Sequence, residues 1–93
     1  MNLIFASSFT RSMKSLIKKN PQLKLRIEER LNLLQSEPFN PLLRTHKLKG
    51  ELAGAWSCSV EYDCRIVFNF ICNESTGEEE ILLIDIGSHD EVY

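Results

Sequence analysis

The period of the apolar positions changes along this 93-residue chain, and each change marks an element boundary. Asn2-Leu-Ile-Phe-Ala6 is a run of large apolar residues of strand length. Phe9, Met13, Leu16 and Ile17 then recur at i, i+4, i+7 and i+8, one stripe along a helix, with Arg11, Lys14, Lys18 and Lys19 largely off it. Ser7 and Ser8 are the N-cap candidates for this helix, which is expected to start near Phe9. Asn20-Pro21 ends it, because proline disfavours helix for the residue before it and suits the first helical position itself. Leu23, Ile27, Leu31 and Leu34 repeat the stripe, with Leu33 beside them. Two amphipathic helices with almost no linker predict an antiparallel helical hairpin whose apolar side needs a sheet to cover.

Ser36-Glu-Pro-Phe-Asn-Pro41 stops the second helix, since two prolines in four residues cannot continue it. Residues 42–49 read as a basic connector into Gly50. From Ala55 to Tyr62 the period is two: Trp56, Cys58, Val60 and Tyr62 fall on one side, Ser57, Ser59 and Glu61 on the other. Arg65 to Cys72 predicts a second strand, residues 73–79 a hairpin turn with Gly77 near its tip, and Ile81 to Ile86 a third, central strand. Short turns between consecutive strands make an antiparallel meander. The expected class is α+β over one domain, residues 1–93. It comprises a short N-terminal strand, a helical hairpin and a three- to four-stranded antiparallel sheet with the helices on one face.

Composition adds limits. No stretch approaches the roughly 20 apolar residues of a membrane span, and Met-Asn-Leu-Ile-Phe-Ala lacks the basic lead of a signal peptide. Cys58, Cys64 and Cys72 are odd in number and form no C-x-x-C pair, which fits buried thiols in a reducing cytoplasm better than a disulfide framework or a zinc site. The net charge of −2 conceals a segregation. Residues 1–50 carry ten Lys/Arg against three Glu, +7, whereas residues 51–93 carry Arg65 alone against ten acids, −9. A basic half of that kind suits a polyanion or an acidic partner, and it is also how helices solvate their outer faces.

Few side chains can perform acid–base or phosphate chemistry. They are His46, His89, Arg65, the neighbouring Asp63 and Tyr93. In a meander of roughly equal strands, the start of the second strand and the end of the third share a rim, so Arg65 and His89 are expected to meet there with Asp63 close by. That set suits cleavage of an RNA phosphodiester. The reaction needs a base for the 2′-hydroxyl proton, a cation for charge building on the phosphate and an acid for the leaving 5′-oxygen. Imidazole serves as acid or base near neutrality, and arginine matches a phosphate bidentately. Arg44, Lys47 and Lys49, with the helical lysines and arginines, are expected to hold an RNA backbone without reading its sequence. No glycine-rich phosphate loop or nucleophile elbow is present, and the cysteines lie mainly on apolar strands where a thiol is inert. The aromatics Trp56, Tyr62, Phe68 and Phe70 read as core.

Taken in order, His46-Lys-Leu-Lys-Gly50, Gly54, Ser57-Cys-Ser-Val-Glu-Tyr-Asp63, Arg65-Ile-Val-Phe68 and Ile86-Gly-Ser-His-Asp-Glu-Val-Tyr93 resemble the RelE/ParE toxin superfamily, nearest its RelE and YafQ-like branches. The resemblance implies a ribosome-dependent mRNA endonuclease acting at the A site. Cleavage would be metal- and cofactor-independent, by 2′-hydroxyl attack that leaves a 2′,3′-cyclic phosphate. It also implies a cognate antitoxin, acidic in its binding segment, and a toxin–antitoxin hetero-oligomer. Carried over by position, His46, Asp63 and His89 match catalytic positions of the YafQ-like branch. Arg65 matches the RelE-like phosphate arginine, and Tyr93 the terminal aromatic that contacts substrate. Two departures stand out: Ser57 and Ser59 lie where RelE-like members carry lysines, and Ser59 also where the YafQ-like branch has a histidine. The alternative functions are a ParE-like gyrase inhibitor or a catalytically weak antitoxin-binding module.

Overall fold

The computed structural model describes residues 1–52, 54–88 and 92. Strand β1 (Asn2–Phe5) leads into helices α1 (Ser7–Lys19) and α2 (Leu23–Ser36). A 3-10 turn at Pro41–Leu43 and a two-residue strand β2 (His46–Lys47) follow. After a second 3-10 turn at Gly50–Leu52 come β3 (Trp56–Glu61), β4 (Cys64–Cys72) and β5 (Glu79–Gly87). All five strands form one sheet in the order β1-β5-β4-β3-β2. The β3-β4-β5 meander is antiparallel, as its short turns require. β1 lies parallel to β5, with Asn2 opposite Glu80 and Phe5 opposite Leu83, so the sheet is mixed. The expected α+β architecture therefore holds, with the N-terminal strand enrolled in the same sheet.

Both helices cover one sheet face, α1 against β5 and α2 against β3. The α2 stripe is buried as the pattern predicts: Leu23, Ile27, Leu31 and Leu34 all face the core. They meet Phe9 of α1, Leu43, and the inward residues Cys58, Val60, Ile66, Phe68, Ile81 and Leu83 of the sheet. Each large apolar side chain removed from water here contributes about 1.5–3 kcal/mol, which holds the helices to the sheet.

Where the structure differs from the pattern, local hydrogen bonding or strand irregularity is the reason. Helix α1 starts at Ser7 with Ala6 at its N-cap, and neither serine caps it. The Ser8 hydroxyl instead donates to the Ile84 carbonyl of β5 at 2.5 Å, fixing helix to sheet. Val67 faces Asp85 while Phe68 faces Leu83, leaving Ile84 as the extra residue of a β-bulge. That extra residue lets Leu83 and Ile86, three apart, both point into the core. A second irregularity lies between Ser59 and Glu61, where strict alternation ends. Tyr62 consequently falls in the β3–β4 turn and is 98% exposed, not part of the core. The basic connector at 42–49 contributes Leu43 to the core and β2 to the sheet edge. Ser57, on the polar side of β3, is buried between His46 of β2 and Val67 of β4.

Candidate active site

Strand register places the chemistry-bearing residues on the sheet face turned away from the helices. Residues directly opposite in an antiparallel pair share a face. His46, Ser57, Val67 and Asp85 make one row across β2, β3, β4 and β5, and Ser59, Arg65 and Gly87 make the next but one along β3. The rows containing His46 and Arg65 are two strands and two residues apart, about 12 Å between Cα atoms by standard strand spacing.

β2 pairs only with Trp56 and Ser57, so the edge of β3 is not paired to β2 from Ser59 onward. Against this stretch lies a groove of about 680 Å³, whose lining includes Arg30, Arg44, Ser59, Asp63 and Arg65. The half-buried Arg65 guanidinium donates from Nη1 to the Ser59 hydroxyl at 2.6 Å. Arg30, projecting from α2, donates from Nε to the Val60 carbonyl at 3.4 Å. Among the described residues the single ion pair is Arg26–Glu29 on the outer face of α2, so none of the three groove arginines is neutralised by a carboxylate within 4.0 Å. Asp63 is exposed on the ridge between this groove and a second one of about 600 Å³, which reaches Arg11 and Lys19 of α1 and Gly87 of β5.

The segment carrying Arg44 and His46 is tied down along its length. The Asn40 side chain accepts from the Leu42 N–H at 2.9 Å, and the Thr45 hydroxyl donates to the Pro38 carbonyl at 2.5 Å. Leu43 is fully buried between them. Arg44 then takes a left-handed conformation, φ 51°, uncommon for a side chain of its size. Its carbonyl lies 3.0 Å from Nδ1 of His46. A carbonyl only accepts, so Nδ1 carries the hydrogen and Nε2 of the neutral ring is the available base.

Of the residues singled out in the sequence, Arg44, Asp63 and Arg65 line one groove, and His46 sits beside it on the same sheet face. Lys47 alternates to the opposite face, where its ammonium lies 5.5 Å from the Trp56 ring centroid, and Lys49 is exposed beyond the strand. His89 and Tyr93 lie outside the described residues. In the sequence Arg30 is one of several helical cations expected to hold an RNA backbone, and no motif sets it apart from the others. Its signal was position: at roughly 100° per residue it falls about 20° from Leu23 around the helix axis, at the edge of the apolar stripe. Burial and the neighbouring Cys64 push the Cys58 thiol up to about 12, against a smaller opposing pull from Arg30, so Cys58 is a core residue and not a nucleophile. Cys64 is also buried, whereas Cys72 is exposed at the end of β4. Among the described residues no group of three or more His, Cys, Asp or Glu side chains is arranged to hold a metal ion.

The fold, a mixed five-stranded sheet with two helices on one face, is shared with solved bacterial toxin structures. E. coli YafQ shares it with a TM-score of 0.79 at 15% identity over 99% of this chain and 97% of that one. A YoeB/ParE toxin from Agrobacterium tumefaciens gives 0.76 at 22% identity over 96% and 99%. The toxin in the E. coli DinJ-YafQ toxin-antitoxin complex gives 0.73 at 16% over 99% and 96%. No curated protein sequence matches the chain. Residues 1–93 match the family model described as the bacterial toxin of type II toxin-antitoxin systems, YafQ, and the chain belongs to that family.

Proposed function

We propose that this toxin is a ribosome-dependent mRNA endonuclease, held inactive in the cytoplasm by a cognate antitoxin. The observation that carries the reading is the Arg65 guanidinium, oriented by Ser59 in a groove shared with Arg44, on the sheet face that bears His46 with Nε2 available. In the reaction, a base removes the 2′-hydroxyl proton, O2′ attacks the adjacent phosphorus and the P–O5′ bond breaks. An acid protonates the departing 5′-oxygen, giving a 2′,3′-cyclic phosphate and a 5′-hydroxyl. Arg65 takes up charge developing on the phosphate. His46 and His89 divide the acid and base roles, Asp63 orients or tunes them, and Tyr93 contacts the substrate base. Arg44 and Lys49 supply sequence-independent contacts to backbone phosphates, whereas Lys47 lies on the opposite face against Trp56. No helix among the described residues is long and apolar enough to cross a membrane.

Antitoxin binding is supported by family membership and by the occurrence of E. coli YafQ in a toxin–antitoxin complex. The test is induction of the chain in bacteria, with mapping of mRNA 5′ ends. Codon-phased cuts are expected, and His89→Ala is expected to relieve growth arrest while retaining antitoxin binding. Intact mRNA accompanied by a DNA-damage response overturns the nuclease reading, and unrelieved toxicity of His89→Ala overturns the catalytic assignment.

A further inference from the structure

We infer that Arg30 of α2 is a second phosphate-binding cation, supplying from the helix a charge that β3 lacks on the face where Ser57 and Ser59 stand. The inference rests on the reading of the groove as an RNA site and adds to it a residue that no sequence motif marks.

Three observations converge on Arg30. First, Arg30 and Arg65 are anchored to consecutive residues of β3: Arg65 to the Ser59 hydroxyl and Arg30 to the Val60 carbonyl. Both arginines line the same groove, one reaching it from α2 and the other from β4. Second, Arg30 binds Val60 through Nε, and neither terminal nitrogen is engaged in a hydrogen bond or ion pair among the described residues. A guanidinium has five N–H donors in a planar fork, so most of its capacity remains for an anion. Third, Arg30 is half-buried at the edge of the α2 stripe, with its stem against the core and its head in the groove. An arginine placed only to solvate the helix would point outward, as Arg26 does in pairing with Glu29.

Two cations lining one groove, with no ion-paired carboxylate among the described residues, favour an anion in that groove. A phosphodiester has two non-bridging oxygens and can accept from both arginines at once. Asp63 and Glu61 also border the groove, and neither comes within ion-pair distance of Arg30 or Arg65. Ser59 in this arrangement is a positioning residue for Arg65, and Arg30 provides the second cation.

The probe is a short single-stranded 2′-O-methyl RNA, which has no free 2′-hydroxyl and is not cleaved. Binding to the full chain is followed by fluorescence anisotropy across a salt series. Arg30→Gln is expected to weaken binding roughly tenfold and to lower the slope of log K against log salt by about 0.7, the loss of one phosphate contact to a single strand. Arg30→Lys, which keeps the charge, is expected to restore the slope in large part. Arg26→Gln, on the same helix outside the groove, is expected to match wild type. Thermal midpoints of the variants separate a folding defect from lost binding. The inference is overturned if the wild-type chain does not bind the oligonucleotide, if Arg30→Gln leaves affinity and slope at wild-type values, or if Arg30→Lys is as weak as Arg30→Gln. Failure of the endonuclease reading is seen separately, as absence of mRNA cuts by a wild-type chain that still binds the oligonucleotide through Arg30.

Discussion

Removing one hydroxyl, in Ser59→Ala, isolates the step by which the sheet aims its arginine. The Ser59 Oγ accepts from Arg65 Nη1 at 2.6 Å, a short hydrogen bond with a charged donor. Such bonds contribute about 1.5–3 kcal/mol when buried. Arg65 is only half-buried, and water replaces part of the lost contact, so about 1 kcal/mol is the appropriate scale. The substitution leaves no core cavity, because the Ser59 side chain borders the groove. About 1 kcal/mol of lost alignment corresponds to roughly a fivefold slower chemical step. Single-turnover cleavage of mRNA on programmed ribosomes measures it, and a double-mutant cycle assigns it. Arg65→Ala alone is expected to slow cleavage about 10²–10³-fold, the scale of removing one oxyanion donor. In that background Ser59→Ala is expected to cost nothing further, because its effect is routed through Arg65. If the two losses multiply independently, Ser59 acts on substrate directly and the positioning argument fails.

Leu43→Ala is expected to destabilise the protein by about 2–5 kcal/mol, since Leu43 is fully buried and pins the segment holding Arg44 and His46. Urea unfolding measures this, and a loss under about 1 kcal/mol would show that the segment does not depend on its anchor. The thiols give a third test. Because the folded Cys58 thiol stays protonated from 9.0 up to about 12 while the unfolded thiol ionises, its contribution is complete below pH 9.0 and is lost as pH rises towards 12. Relative to Cys58→Ala, wild-type stability is expected to fall by about 1.4 kcal/mol per pH unit across that window. Alkylation of the native protein is expected at the exposed Cys72 and not at Cys58 or Cys64, read by mass spectrometry.

Much of this architecture was legible because it is local. The α2 stripe, the two prolines that stop it and the turn around Gly77 each act within a few residues, and they fixed helices and meander alike. What was not legible depends on pairing across the chain. Nothing in Asn2-Leu-Ile-Phe5 encodes that it lies parallel to β5, and nothing in His46-Lys47 distinguishes a sheet edge from a connector. Tyr62 was misread as core because an alternating pattern carries no sign of the irregularity at Val60. In the site, motif positions led to Asp63 and Arg65 and the basic connector to Arg44, and the structure gathers those three into one groove. Arg30 and the Ser59–Arg65 bond belong to contacts between elements about 30 and 6 residues apart, which periodicity does not register. His89 and Tyr93 lie outside the described residues, and their catalytic roles rest on the family resemblance and the proposed test.

The pairing of β1 with β5 also sets the point at which a newly made chain can complete its sheet. Asn2 finds its partner only at Glu80, and Phe9 packs in a core completed by Ile81 and Leu83. Closure of so long a loop makes folding late and slow by nature. Until Glu79–Gly87 has been synthesised, the helices have no central strand to cover and Arg65 has no Gly87 beside it. A ribosome stalled upstream of that strand therefore yields a fragment without the assembled groove. Completion of the sheet, and with it the setting of Arg65, waits on β5.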